Sequence, residues 1–489
     1  MAMFLPEILA GIPENPQTTA AQVREARQKA QDTRVYVVLD DDPTGTQSVA
    51  DLPVLTAWEP ADFAWAFASG KPAVYVMTNS RSLSSAAAEK VNREVVSAAL
   101  EAAAATDTQL AFVSRSDSTL RGHFPLEPLT IIDETEKCRR ARAETAAKTA
   151  AKAVDGIILV PAFGDAGRIT VHGVHYAGAE KSGFVPVGET EFAKDASFGY
   201  RASYLPEWVA EKTEGKIPAA AVGVLELADI RTNLPQIISQ LEAAENGQVL
   251  AADIVTEEDL RQLALALIAA EAAGKEFVYR VGPPFVRARI GQSVHAPLND
   301  EEIASARGDR ELAAGGLIVV GSHVDLTTRQ LNQLREQEQL PEFEIDVQQV
   351  IDPALRGAHL AEIVEKAVAA LQSGNAIVRT SRKLVKGKDE DDSLAISREV
   401  SAAVVEVTQK ILQACPPRFV VAKGGITSSD TASKGLSIRR AKVVGPMLPG
   451  IVSLWTALEG PALGIPYIVF AGNVGDETSL AEVVKKLSK

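Results

Sequence analysis

Short apolar runs recur through the first half of the chain, and each turns polar at its carboxyl end. The run 35–39 (VYVVL) is followed by Asp40, Asp41, Asp42, Pro43, Thr44 and Gly45, and the run 73–77 by Thr78, Asn79, Ser80 and Arg81. The run 110–113 leads into a polar stretch at 114–122, and the run 156–160 into Pro161, Ala162, Phe163 and Gly164. Apolar runs of this kind, separated by longer Ala- and Glu-rich stretches, predict parallel strands with helices on both faces of the sheet. Residues 84–105 predict one such helix, opened by a serine cap. Open parallel sheets bind ligands outside the carboxyl ends of their strands, so strands that deliver Asp, Ser, Arg and Thr to one edge mark that edge as a candidate site. Less regular αβ sequence follows at 184–289, with strands near Val222 and Val249 and at 276–281.

The polar stretch 295–314 is poor in β-formers and predicts a domain boundary. Beyond it, strands are expected at 317–320, near Phe343, and at 376–379, 419–422 and 467–470. Helices are expected at 359–372 and ending near Gln413, with a solvated loop over the charged stretch 386–392. The expected fold class is α/β with two domains, each a mainly parallel sheet flanked by helices. Its parts are an N-terminal extension at 1–34, a first domain at 35–294, a linker at 295–314 and a second domain at 315–489.

Charge and cysteine usage narrow the function. A formal charge of −14 and a pI near 5.1 argue against a nucleic-acid partner, while a local arginine pocket for a small anion remains compatible. Cys138 and Cys415 are the only cysteines, so neither a disulfide framework nor a cysteine zinc site is indicated, and a reducing cytoplasmic setting fits. No run of about 18 apolar residues and no export-type start is present, so no membrane association is expected.

The second domain carries three glycine-bearing turns directly after apolar runs: Gly321-Ser322, Gly424-Gly425-Ile426-Thr427 and Gly472-Asn473-Val474-Gly475. Glycine lets backbone N–H groups approach a phosphate closely. Singly, each reads as an ordinary turn; three at equivalent places predict a nucleotide cradle, to which the segment 445–450, ending in Gly450, is a further candidate. Neither GxxxxGK[ST] nor a GxGxxG opening a helix is present, so the site is of a less common type. ATP is the expected nucleotide, with Mg2+ bridging its phosphates, and no metal ligands can be read off the sequence.

In the first domain, Asp41 and Asp42 are candidates to orient or deprotonate an acceptor hydroxyl; the plainer alternative is an acidic cap at a turn. Arg81 and Arg121, flanked by Ser80, Ser118 and Thr119, offer forked donors that match a carboxylate, against the alternative of surface salt bridges. His172 and His175 read more simply as structural residues than as a metal pair. Ser322, His323 and Asp325 are neighbours in one turn and cannot adopt triad geometry. Asp40-x-Asp42-x-Thr44 also matches the DxDxT pattern of phosphatases with an aspartyl nucleophile, the main competing reading. A non-catalytic sugar-acid binding protein is the third.

Several segments together resemble the four-carbon acid-sugar kinase family, whose members phosphorylate threonate, erythronate, 3-oxotetronate and related acids. The matching stretches are DDPTGT from Asp41, SRSL from Ser80, DSTLRG from Asp117, PAFGDAGRITVHG from Pro161, GS at Gly321, KGGITSSD from Lys423, GPMLPG from Gly445 and GNVGDETSL from Gly472. The resemblance implies an N-terminal acceptor domain and a C-terminal nucleotide domain meeting across a cleft. It implies ATP contacts at Ser322, Gly424, Gly425, Ile426, Thr427 and the Gly472 turn, and substrate contacts at Asp41, Asp42, Ser80, Arg81, Asp117, Ser118 and Arg121. Arg115, His123 and Val324 depart from the residues the family often has at those positions. The expected reaction is ATP-dependent phosphorylation of a hydroxyl, O4, of a small sugar acid; a homodimer is left open.

Overall fold

The computed structural model of the protein describes residues 2–145, 153–308, 310–382, 388 and 390–489. The chain divides into two compact units: Met1–Gly45 with Trp58–Val294, and Thr46–Ala57 with His295–Lys489.

In the first unit the strands run parallel in the order Ala73–Met77, Val35–Asp40, Leu110–Arg115, Phe277–Val281, Gly156–Val160, Gln248–Ala252 and Gly223–Leu225. Every residue of Val35–Asp40, Ala73–Met77, Gly156–Val160 and Phe277–Val281 is buried, which is why these strands, Asp40 and Arg280 apart, read as runs without charge. Helix Ser85–Thr106 turns Val95, Val96 and Ala99 inward; the Ser84 hydroxyl accepts the Ala87 N–H at 3.4 Å. The register aligns Asp40 with both Met77 and Arg115, and Arg115 with Val281, so the segments leaving these four strands start from one level.

A second, antiparallel sheet of Arg168–Val171, Val174–Ala179 and Gly183–Pro186 was not expected. Its strands are short, and its first hairpin turns on His172 and Gly173, whose φ values of 52° and 70° are those of a two-residue turn normally signalled by Asn-Gly or Asp-Gly. The segment 1–34 also belongs to this unit. Helix Ala20–Lys29 buries Val23 against Ala264 and Ile268, and Arg231 Nη1 donates to the Pro13 carbonyl at 2.9 Å.

In the second unit Glu342–Ile345, Ala376–Thr380, Leu317–Val320, Val420–Lys423 and Pro466–Phe470 are parallel neighbours in that order. Ile451–Ala457, Arg440–Leu448 and Leu52–Leu55 continue the sheet antiparallel. Ile318, Val320, Val421, Ile468 and Phe470 pack with Leu480 and Val484 in its core.

The structure alters several expectations here. Residues 46–57 group with this unit rather than the first, because Arg440–Leu448 supplies the antiparallel partner of Leu52–Leu55. The stretch 295–314 holds helix Asp300–Ala306, capped by Asn299 and anchored by buried Ile303 and Ala306; it is too short for periodicity to reveal. Of the loop expected at 386–392, residues 386, 387 and 389 lie outside the described residues, and from Glu390 the chain is in helix Glu390–Ala414. Helix Pro353–Leu371 begins ahead of residue 359 because Asp352 caps it, accepting the Ala354 N–H at 2.9 Å. The segment 445–450 belongs to a hairpin, in which Gly450 takes φ 66° at the turn.

Candidate functional site

At the carboxyl edge of the first unit's sheet, Asp41 follows the Val35–Asp40 strand and Arg81 lies in the single turn Ser80–Ser82. The Arg81 guanidinium grips the Asp41 carboxylate with Nε at 3.1 Å and Nη2 at 2.7 Å, and its Nη1 stands 3.6 Å from Asp42 Oδ2. The two aspartates differ in access. Asp41 is buried with both oxygens engaged by Arg81, whereas the Asp42 side chain is 21% exposed. Asp42 Oδ1 accepts from the Thr44 N–H (2.9 Å) and hydroxyl (2.5 Å), which leaves Oδ2 as the carboxylate oxygen of the pair that a solute can reach.

After the Leu110–Arg115 strand, the loop 116–122 carries Asp117, Ser118 and Arg121. Arg121 Nε donates to Asp117 Oδ2 at 2.7 Å, and its Nη1 lies 3.6 Å from Asp195. Neither Arg81 nor Arg121 is therefore a free cation; each already holds a carboxylate of the protein. Gly122, at φ 113°, lets this loop close on Asp41, since a Cβ there would stand 3.0 Å from Asp41 Oδ2. Ser80 is buried and donates to Glu127 Oε1 at 2.5 Å, while Ser114 donates to Oε2 at 3.1 Å and Arg280 Nη1 lies 3.7 Å from it. Glu127 opens an ordinary-looking helical stretch, and nothing local in the sequence signals this role.

Burial pushes the Asp41 carboxyl up to about 7; Arg81 opposes that rise and the Glu127 charge adds to it. Asp117 goes the other way: burial would raise it, but Arg81 and Arg121 hold it well below the ordinary carboxylate range.

The antiparallel sheet backs the 116–122 loop. His175 Nε2 lies 2.8 Å from the Ser118 carbonyl and Nδ1 2.9 Å from the Thr170 hydroxyl. Burial pushes the His175 pKa down to about 4, so the ring is neutral near pH 7: Nε2–H donates to the carbonyl and Nδ1 accepts from Thr170. The Tyr200 hydroxyl donates to the Thr119 carbonyl at 2.5 Å. His175 is thus a loop clamp. His172 gathers with Glu226 and Asp253 at metal-ligand spacing. Asp253, however, already accepts the N–H groups of His172 (2.7 Å), Gly173 (2.8 Å) and Leu227 (3.2 Å), which explains its burial without an ion.

In the second unit the three glycine turns follow adjacent parallel strands whose registers pair Val320 with Lys423 and Lys423 with Phe470. Gly424 takes φ 132° and ψ 148°, a conformation closed to other residues. A Cβ on Gly472 would stand 2.5 Å from Ser322 Oγ, so the first and third turns touch. Thr327 Oγ1 ties them further, lying 3.1 Å from Ser322 Oγ and 2.9 Å from the Gly472 carbonyl. Gln330 Nε2 donates to the carbonyls of Val474 (3.0 Å) and Asp476 (2.7 Å), fixing the turn that contains Gly475. Beside these turns is a cavity of about 190 Å³, walled by Val347, Val400, Val404 and Ile426, with Gly321 and Thr427 at its polar side. Gly450 is not among its lining residues, and the hairpin turn alone accounts for its glycine.

The sequence reading gave no role to two basic side chains here. Arg382 donates through Nη1 to the Ser322 carbonyl and through Nη2 to Thr328 Oγ1 at 2.6 Å. Lys423 is fully buried, with Nζ 2.5 Å from the Ala471 carbonyl.

One unit thus presents arginine–carboxylate pairs at a sheet edge, and the other aligns glycine turns beside a small apolar cavity. This combination defines a two-domain α/β protein built to hold a small polar ligand and a nucleotide. Comparison with known families agrees: a sugar-binding N-terminal domain matches residues 36–289 and a nucleotide-binding C-terminal domain matches residues 317–480. The chain belongs to the four-carbon acid-sugar kinase family, which has this pair of domains. Similar solved structures include a Salmonella typhimurium LT2 protein named provisionally as a tRNA synthase, with 17% identity and a TM-score of 0.64 over 92% of this chain and 98% of that one. Another is a Haemophilus influenzae protein of the family DUF1537, with 17% identity and a TM-score of 0.58 over 92% of this chain and 99% of that one. At such identity the likeness is one of fold alone. No protein of curated function matches the chain.

Proposed function

We propose that this protein transfers the γ-phosphoryl group of ATP to a hydroxyl, O4, of a four-carbon or branched five-carbon sugar acid. The observation that carries this reading is the set of glycine turns on adjacent parallel strands beside the 190 Å³ cavity in the nucleotide-binding domain. The cavity's apolar walls suit a nucleobase. Backbone N–H groups at Gly425, Ile426, Thr427, Gly472 and Gly475 would lie against the phosphates, with Arg382 offsetting their charge; Ser322 and Gly424, whose N–H groups donate to the Lys423 and Phe470 carbonyls, would shape the cradle.

In the sugar-binding domain, the acceptor acid would lie along the strand ends that carry Ser80, Arg81, Asp117, Ser118 and Arg121. Asp42 Oδ2 is reachable and would take the proton of the attacking hydroxyl as its oxygen bonds to the γ-phosphorus and ADP leaves with the electron pair of the broken bond. Asp41 is the positioning residue that holds Arg81 in place. Mg2+ bound to the nucleotide would supply charge neutralisation on the phosphate oxygens. The His172, Glu226 and Asp253 group does not suit that role, since Asp253 is saturated by backbone N–H groups.

The test is coupled ADP release with Mg-ATP against threonate, erythronate, 3-oxotetronates and 3-oxo-isoapionate, with controls lacking acceptor or ATP. Acceptor-dependent ADP formation with one acid is the expected result. Failure to bind ATP, or phosphate release in its absence, would overturn the reading.

A further inference from the structure

Five arginines gather at the carboxyl edge of the first unit, and four of them are neutralised by the protein. Arg81 is paired with Asp41, Arg115 with Asp40, Arg121 with Asp117, and Arg280 stands 3.7 Å from Glu127. Arg168 differs. Among the described residues no carboxylate lies within ion-pair distance of it; its Nη1 donates to the Ala166 carbonyl, and its Nε is buried without an acceptor.

The placement of Arg168 is specific. Thr170 and His175 are directly opposed across the antiparallel sheet, and His175 reaches the Ser118 carbonyl, so this face of the sheet looks onto the 116–122 loop. Arg168 shares the face with Thr170, two residues along the same strand. Its guanidinium carbon stands 5.5 Å from the centroid of the Phe192 ring, which also has the Arg121 guanidinium carbon at 5.4 Å. Burial lowers the Arg168 pKa; Asp117 opposes that effect and Arg121 reinforces it. A guanidinium with a buried Nε and no carboxylate partner, beside a second one already holding Asp117, is a costly arrangement that a bound anion would offset.

We propose that Arg168 is the specificity-determining residue for the acceptor, its unpaired guanidinium receiving the carboxylate of the sugar acid beside Arg121. This rests on the reading of the first unit as the acceptor domain. It makes the carboxylate, rather than the polyol chain, the feature that distinguishes a substrate from a neutral sugar alcohol. Such a role differs from bracing the Ala166 turn, which would leave acid and alcohol equally affected by a substitution.

The experiment compares wild type, Arg168→Gln and Arg168→Lys by titration calorimetry and by ADP release. The probes are threonate and erythronate, with threitol and erythritol as their neutral counterparts; ATP affinity and thermal midpoint serve as controls. In Arg168→Gln, the acid is expected to bind about 10- to 100-fold more weakly, with ATP affinity kept and the preference for acid over alcohol largely lost. Arg168→Lys should recover part of that preference. If wild type binds an acid and Arg168→Gln binds it equally well, or loses acid and alcohol in equal measure, the assignment of Arg168 fails while the kinase reading stands. If wild type neither binds nor phosphorylates any acid, the acceptor reading itself fails, and this proposal with it.

Discussion

Lys423 ends the Val420–Lys423 strand immediately before Gly424, and it is buried without a carboxylate partner among the described residues. Its Nζ has the Ala471 carbonyl at 2.5 Å and the Phe470 ring centroid at 3.8 Å. Burial pushes its pKa from 10.5 down to about 6. Between those two values the unfolded chain carries the proton and the folded protein does not, so unfolding takes up a proton and stability rises with pH. The slope is about 1.4 kcal/mol per pH unit, and the whole interval amounts to about 6 kcal/mol, present above pH 10.5 and lost as pH falls to about 6. Lys423→Met keeps the apolar stem and removes the amine. Loss of the Ala471 bond shifts the variant by a constant amount, whereas loss of the titration changes its slope. Urea unfolding of both proteins at unit steps of pH separates the two effects. The difference in unfolding free energy, wild type minus variant, should climb by about 1.4 kcal/mol per pH unit across this range. Parallel profiles would refute the claim that Lys423 is held neutral.

The remaining expectations concern the two proposed sites. Asp42→Asn should lower kcat about 100- to 10,000-fold while leaving ATP affinity intact, measured by coupled turnover and nucleotide titration; unchanged kcat would remove Asp42 as the base. Arg81→Ala leaves the buried Asp41 carboxyl without its hydrogen-bond partner and should destabilise the sugar-binding unit by about 1–3 kcal/mol, and adding Asp41→Asn should leave acceptor use unrestored. Equal loss of acceptor and ATP binding in the double variant would sink the placement of Arg81 at the acceptor. Gly424→Ala forces a side chain into φ 132°, with its Cβ 2.9 Å from Thr427 Oγ1; a lowered thermal midpoint and ATP affinity reduced at least about tenfold are expected, and wild-type ATP affinity would exclude this turn from the cradle.

What the sequence disclosed follows from which interactions are local. The runs at 73–77, 156–160 and 317–320 coincide with strands because strands buried on both faces need unbroken apolar residues, and that requirement is written in consecutive positions. The glycine turns were visible for the same reason, each lying directly after its strand. The antiparallel sheet at 168–186 was hidden because one of its turns uses His-Gly, a rare spelling of a two-residue hairpin, and because its strands are short. The pairing of each arginine was also hidden. Arg81 meets Asp41 across 40 residues and Arg115 meets Asp40 across 75, distances at which composition and periodicity carry no information about contact. Arg168 escaped for the complementary reason: its significance lies in the carboxylate it lacks, which becomes apparent only after every neighbour has been paired.

That pairing also weighs against the phosphatase reading of Asp40-x-Asp42-x-Thr44. A phosphatase of this type needs the first aspartate as its nucleophile, with an oxygen free to reach phosphorus. Asp40 has no exposed surface, and Arg115 holds it while also donating to the Asp42 carbonyl. The backbone of Gly45 is folded directly over the same carboxylate, so closely that a Cβ there would collide with both Asp40 oxygens. Asp40 is therefore a brace that fixes the loop from below. The remainder of the motif has an equally local explanation, since Asp42 Oδ1 closes an Asx turn by accepting from Thr44. With Asp40 sealed and Asp42 Oδ1 occupied, Asp42 Oδ2 is what the motif presents to a ligand, and a single reachable carboxylate oxygen suits the removal of a proton from a hydroxyl.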